Sequence, residues 1–140
     1  MRIQKLTTLT ALVLTFAITA ARAEDAETPV DCNNATSTAE LNFCADKELE
    51  AADKALNATY EKVLAKITKS DGEKPYDAKS WQDKLRASQR AWVAFRDAEC
   101  KDLVPMSWSG GTGTSGAVLG CMSGMTKVRT KDLVEQFLLE

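Results

Sequence analysis

Histidine is absent from this 140-residue chain. That removes at once the side chain best suited to general base work near neutral pH and the commonest zinc ligand. Proline is scarce, with only Pro29, Pro75 and Pro105, so helical segments meet few obligatory stops. No strand-type alternation, no internal repeat and no C-x2-C pair is present. The longest apolar run, Leu9 to Ala21, is too short to span a bilayer.

That run follows Arg2 and Lys5 and leads into Ala21-Arg22-Ala23, a small-x-small cleavage pattern. Residues 1–23 therefore read as a secretory signal peptide rather than an uncleaved anchor. No cysteine follows closely, which argues against a lipid-anchored form and against membrane attachment after cleavage. The remaining 117 residues suffice for one small domain. Arg2, Lys5 and Arg22 leave with the signal, so 18 basic residues fall to 15 against 20 acidic ones, a formal charge of −5. An acidic exported domain is a poor match for nucleic acid or anionic lipid and a good one for a cationic protein partner.

Cys32, Cys44, Cys100 and Cys121 are an even set in a small exported chain, which reads as two disulfides in one of three connectivities. A four-thiolate zinc site is the rival, but it lacks the paired spacing and needs thiolates to survive oxidation. No metal or cofactor is expected.

Residues 24–36 read as a polar leader, and residues 37–140 as a single helical domain. Ser37-Thr-Ala-Glu40 is a capping box. Leu41, Ala45, Leu49, Ala52, Leu56, Tyr60, Val63 and Ile67 then mark one helical stripe. Thr68 to Lys79, with Asp71-Gly72 and Pro75, reads as a loop. A second helix is expected from near Ser80, with Trp81, Leu85, Trp92 and Phe95 on its buried stripe, ending by Val104 because Pro105 disfavours helix before it. Ser107 to Gly116 holds four of the seven glycines and reads as a loop extending to Gly120. A last helix is expected from about Cys121 to Leu139.

The expected fold is all-α, a disulfide-stapled three-helix bundle containing a long antiparallel hairpin. Residues equidistant from the connector's middle then lie side by side, pairing Asp53 with Arg96, Asn57 with Trp92 and Tyr60 with Gln89. The same geometry gathers the four cysteines at one end. Cys32–Cys44 and Cys100–Cys121 are the expected pairs, with the crossed connectivities still open.

Cys44, then Asp53-x-x-Leu56-Asn57-x-x-Tyr60, then Gln89-x-x-Trp92-x-x-x-Arg96-Asp97-x-x-Cys100, then Cys121 and Arg129-x-x-x-Leu133, resembles the LprI-type lysozyme-inhibitor family. The resemblance covers nearly all of the chain beyond residue 23. It implies a small helical, disulfide-stapled bacterial domain, periplasmic or secreted, and in the family's namesake an inhibitory action on lysozyme. The chain departs from the namesake's lipoprotein form by lacking a lipid-attachment cysteine.

Two clusters invite a functional reading. Asp53, Asn57, Tyr60, Gln89, Trp92 and Arg96, with Arg129 as a further donor, form either a binding cluster or a structural seam. The seam is favoured, because buried polar groups need partners and these can partner one another. Trp108, with Gly110, Gly111 and Thr112 beside it, is either an interface anchor or a cap folded back on the bundle's open end. Gly111-Thr-Gly-Thr-Ser-Gly116 matches G-x-G-x-x-G, but no strand precedes it, so nucleotide binding is not expected. Asp46, Glu48 and Glu50 are explained by a solvated helix face, and no enzyme is expected. Inhibition of a cationic lysozyme is the leading function. An interaction, immunity or envelope-stress role with another partner is the alternative.

Overall fold

Ser37 opens the first helix as its capping box requires: its Oγ accepts from the Glu40 N–H at 3.2 Å, while a Glu40 carboxylate oxygen accepts from the Ser37 N–H at 3.0 Å. In the computed structural model, residues 30–139 are described; the signal peptide expected at 1–23 and residues 24–29 of the leader lie outside them. Helix α1 spans Thr38–Ile67, with Leu49, Ala52, Leu56, Val63 and Ile67 buried as the stripe predicts. Leu41, its first member, is exposed.

Helix α2 spans Ala78–Asp97 and starts earlier than expected. Its cap is Asp77, whose carboxylate accepts from the Ser80 N–H at 2.9 Å, rather than Ser80 itself. The expected stop at Val104 is not observed either. The rod continues through a π-helical segment, Ala98–Leu103, into the four-residue α3, Val104–Ser107. The Val104 N–H bonds to the Glu99 carbonyl five residues back. Widening the helix just ahead of Pro105 puts the proline at the start of a new turn, where its missing N–H costs nothing.

The glycine-rich stretch is a turn at 108–113, as expected, but from Thr114 onward the expected loop is helix, a departure from expectation. Helix α4 begins at Thr114 and runs to Phe137, taking in Gly116, Gly120 and Gly124. Each glycine disfavours a helix by about 1 kcal/mol, and here tertiary packing overrides that preference. Val118, Leu119, Met122 and Met125 pack around Leu49 and Cys100. At Gly116 a Cβ would sit 3.1 Å from the Asn42 side chain of α1, so the missing side chain also admits close approach there.

The chain runs up, down and up. α2 is antiparallel to α1, with Arg96 bonded to Asp53 at one level and Gln82 to Thr68 at the other. α4 is parallel to α1, and α1 packs its buried face chiefly on α4 rather than on its hairpin partner. Leu56, Val63, Ile67, Leu85 and Leu133 make the core near the connector; Leu49, Cys100 and Met122 make a smaller one near the cysteines. On α2 Leu85 is buried, as is Cys100 in the π-helical segment that continues it, and Trp92 packs at the edge of the core. Phe95 and Trp81 were expected on that stripe; Phe95 is instead 58% exposed, and Trp81 lies partly open against Phe137, ring centroids 6.3 Å apart. The stripe follows the row through Leu85, Arg96 and Cys100, which turns Phe95 away from the core.

Candidate functional site

Between the two apolar cores lies a polar layer built on Arg96, which is only 8% exposed. Its Nη1 donates to Asp53 Oδ1 and to Thr126 Oγ1, each at 2.9 Å, and its Nε and Nη2 donate to Asp97 Oδ1 at 3.3 Å. The Thr126 hydroxyl donates onward to Asp53 Oδ1 at 3.3 Å. Lys101 holds the other Asp97 oxygen at 2.8 Å, and that bond, more than Arg96, keeps the Asp97 carboxyl below its ordinary range. One guanidinium thus ties all three long helices together at the level where each must keep register.

Trp92 continues the layer. Its ring lies 5.3 Å from the Arg96 guanidinium and 6.0 Å from that of Arg129, within cation–π range of both. Arg129 donates from Nε to the Gln89 side-chain Oε1 at 3.1 Å and from Nη2 to Ser88 Oγ at 3.4 Å. Of the expected neighbour pairs, Asp53–Arg96 is bonded. Asn57–Trp92 and Tyr60–Gln89 are not: Trp92 and Gln89 turn to the arginine on α4, while Asn57 and Tyr60 line an open groove between α1 and α2. The hairpin rule contains no third helix, so it missed Thr126. The signal for it was its place three residues before Arg129, on the same face of α4.

At the far end the cysteines pair as Cys32–Cys44 and Cys100–Cys121, each with Cα atoms 5.6 Å apart. The second disulfide joins the π-helical segment to the first half of α4 and brackets the turn at 108–113. Ser109 and Gly110 both adopt left-handed backbone, φ 49° and 67°, which reverses the chain. The Gly111 N–H closes the reversal onto the Trp108 carbonyl at 2.9 Å. The Trp108 ring lies over Gly113, where any Cβ would collide with it. It is 49% exposed, with half of its surface open and its ring resting on the turn's own Gly113. Gly110, Gly111 and Thr112 are exposed around it.

The ends also differ in charge. Residues 30–59 carry Asp31, Glu40, Asp46, Glu48, Glu50 and Asp53 against Lys47 and Lys54. Residues 60–90 carry eight basic side chains and five acidic ones. Residues 91–127 and 128–139 balance internally. The bundle's axis thus runs from an acidic, stapled end to a basic connector end, a split readable by counting charge along half-helices.

Among the described residues no three His, Cys, Asp or Glu side chains gather as a metal site, and no helix is long and apolar enough to cross a membrane. The geometry defines a small stapled helical domain, with polar chemistry knitted into its frame and an aromatic turn at one end. The pattern of the family described as Lysozyme inhibitor LprI matches residues 32–133, and this chain belongs to that family, one of inhibitors rather than enzymes. It is 37% identical over 108 residues to an uncharacterized protein of Rhizobium meliloti (strain 1021), covering 75% of this chain and 77% of the relative. No solved structure matches it.

Proposed function

We propose that this protein is exported through a cleaved signal at residues 1–23 to the periplasm or beyond, and there inhibits a cationic lysozyme with the Trp108 turn of its acidic end. The observation that carries this reading is Trp108: a large aromatic, half open, on a reversal pinned between Cys100 and Cys121. A pre-ordered aromatic gives wide contact area with little entropy left to lose on binding. Gly110 and Gly111 set the turn's shape, and Thr112 stands on its rim. The carboxylates of α1's first half draw a basic enzyme to that end and raise the association rate. Family membership supports lysozyme as the enzyme class.

A cell-wall lysis assay with the oxidised chain beginning at residue 24 tests it. Inhibition is expected, weakening as salt rises. Trp108→Ala is expected to weaken it by about thirtyfold, the scale of an interface hot spot, while the melting temperature stays put. Unchanged inhibition by that variant overturns the docking mode. No inhibition of any lysozyme overturns the function and favours another envelope partner.

A further inference from the structure

We propose that the open groove between α1 and α2 is a binding site for a carboxylate carried beside a small apolar side chain, as at the C-terminus of a short peptide. The groove encloses about 480 Å³, within the range of small-ligand sites. It shares no residue with the Trp108 turn and stands whether or not that turn meets a lysozyme.

The chemistry left over at the groove is one-sided. Arg86, Arg90 and Arg96 line it against a single carboxylate, Asp53. Asp53 is already engaged by Arg96 and Thr126. Asp83 and Asp97, close by on α2, are engaged by Lys79 with Arg86 and by Lys101 with Arg96. No acceptor in this set therefore competes for the remaining donors.

Those donors come from both helices. The Arg90 guanidinium, the Asn57 amide and the Tyr60 hydroxyl have no partner among the described residues. The Gln89 side-chain Oε1 is taken by Arg129, so its amide N–H groups are what it offers the groove. Leu56, buried, and Val93, partly exposed, supply an apolar floor. A guanidinium meets a carboxylate through two parallel N–H···O bonds, as it also can a phosphate, so preference over inorganic phosphate comes from the apolar floor beside the donors. Amide and hydroxyl donors alongside suit the second lone pairs of the same group or a neighbouring carbonyl. The floor accommodates an alkyl side chain next to it. An overall acidic protein with guanidiniums collected in one concavity selects an anion there against its own net charge.

The test is a nitrogen-15 NMR titration of the oxidised chain beginning at residue 24, with N-acetyl-alanyl-alanine as probe and its C-terminal amide as control. Saturable shifts are expected at the Asn57 and Gln89 side-chain amides and at Arg90, with none from the amide control. Arg90→Gln, on the exposed rim, is expected to weaken binding about tenfold or more without moving the melting temperature. Inorganic phosphate is expected to produce much smaller shifts. The proposal is overturned by shifts elsewhere or nowhere at millimolar probe, by equal binding of the amide or of phosphate, or by undiminished binding to the Arg90→Gln chain.

Discussion

The two ends of this bundle are held together by different physics. At the connector end five buried apolar side chains form one core, with Trp92, Phe137 and Leu138 packed around it. At the cysteine end, among the described residues, only Leu49, Cys100 and Met122 are buried in a core cluster, and two disulfides cross-link what burial leaves loose. Apolar burial dictates which side chains face inward, whereas a disulfide acts largely by restricting the unfolded chain. The stapled end is thus freer to spend its surface on carboxylates and an open tryptophan. The Arg96 layer stands between the two regimes and fixes their register.

The sharpest way to break this contrast is to cut into the connector core. Leu133 is wholly buried, and Leu133→Ala is expected to lower unfolding stability by about 3–5 kcal/mol, read from the denaturant midpoint. A loss under about 1 kcal/mol would mean that the core is not what holds that end. Next in size is removal of the second staple, Cys100→Ala with Cys121→Ala, expected to cost about 3 kcal/mol in the chain-entropy account. Hydrogen exchange should then quicken in 98–120 and stay unchanged near Ile67 and Leu85. Uniform quickening would contradict the division.

The smallest effect is acid sensitivity, and both ends share it. Glu40 is held below its ordinary range chiefly by the Ser37 N–H, Asp77 by its bonds to Ser80, and Asp83 by Lys79. Asp97 is held down by Lys101. A carboxyl lowered by folding contributes stability that is complete above its unfolded value, 4.5 for Glu and 3.8 for Asp, and is lost as pH falls through the folded one. The melting temperature should be flat above about pH 5 and decline toward about pH 3. Glu40→Gln should flatten part of that decline, and an unaltered slope would count against the cap's contribution.

Much of this was written in local chemistry. The Ser37 box, the α1 stripe and the Asp53–Arg96 pair follow from cap residues, helical period and a hairpin's symmetry. The gathering of the cysteines follows from which helix ends meet, while the choice of the two local pairs over the crossed ones was left to the structure. What stayed hidden depended on distant partners. Pro105 is passed because the backbone widens before it, and Gly116 and Gly120 are helical because α4 is pinned by Cys121 and packed on Leu49. Trp92 and Gln89 turn toward Arg129, whose position a two-helix rule cannot supply. The polar seam was legible as a set of residues, but its division into a bonded layer and an open groove was not.

Backbone hydrogen exchange of the oxidised chain, alone and bound to a c-type lysozyme, tests most directly whether the stapled end does the recognising. Slowed exchange is predicted in 103–116 and in the first turns of α1 at 38–48, with 69–85 unchanged. Protection centred on the connector, or none anywhere in the presence of excess enzyme, would contradict the account.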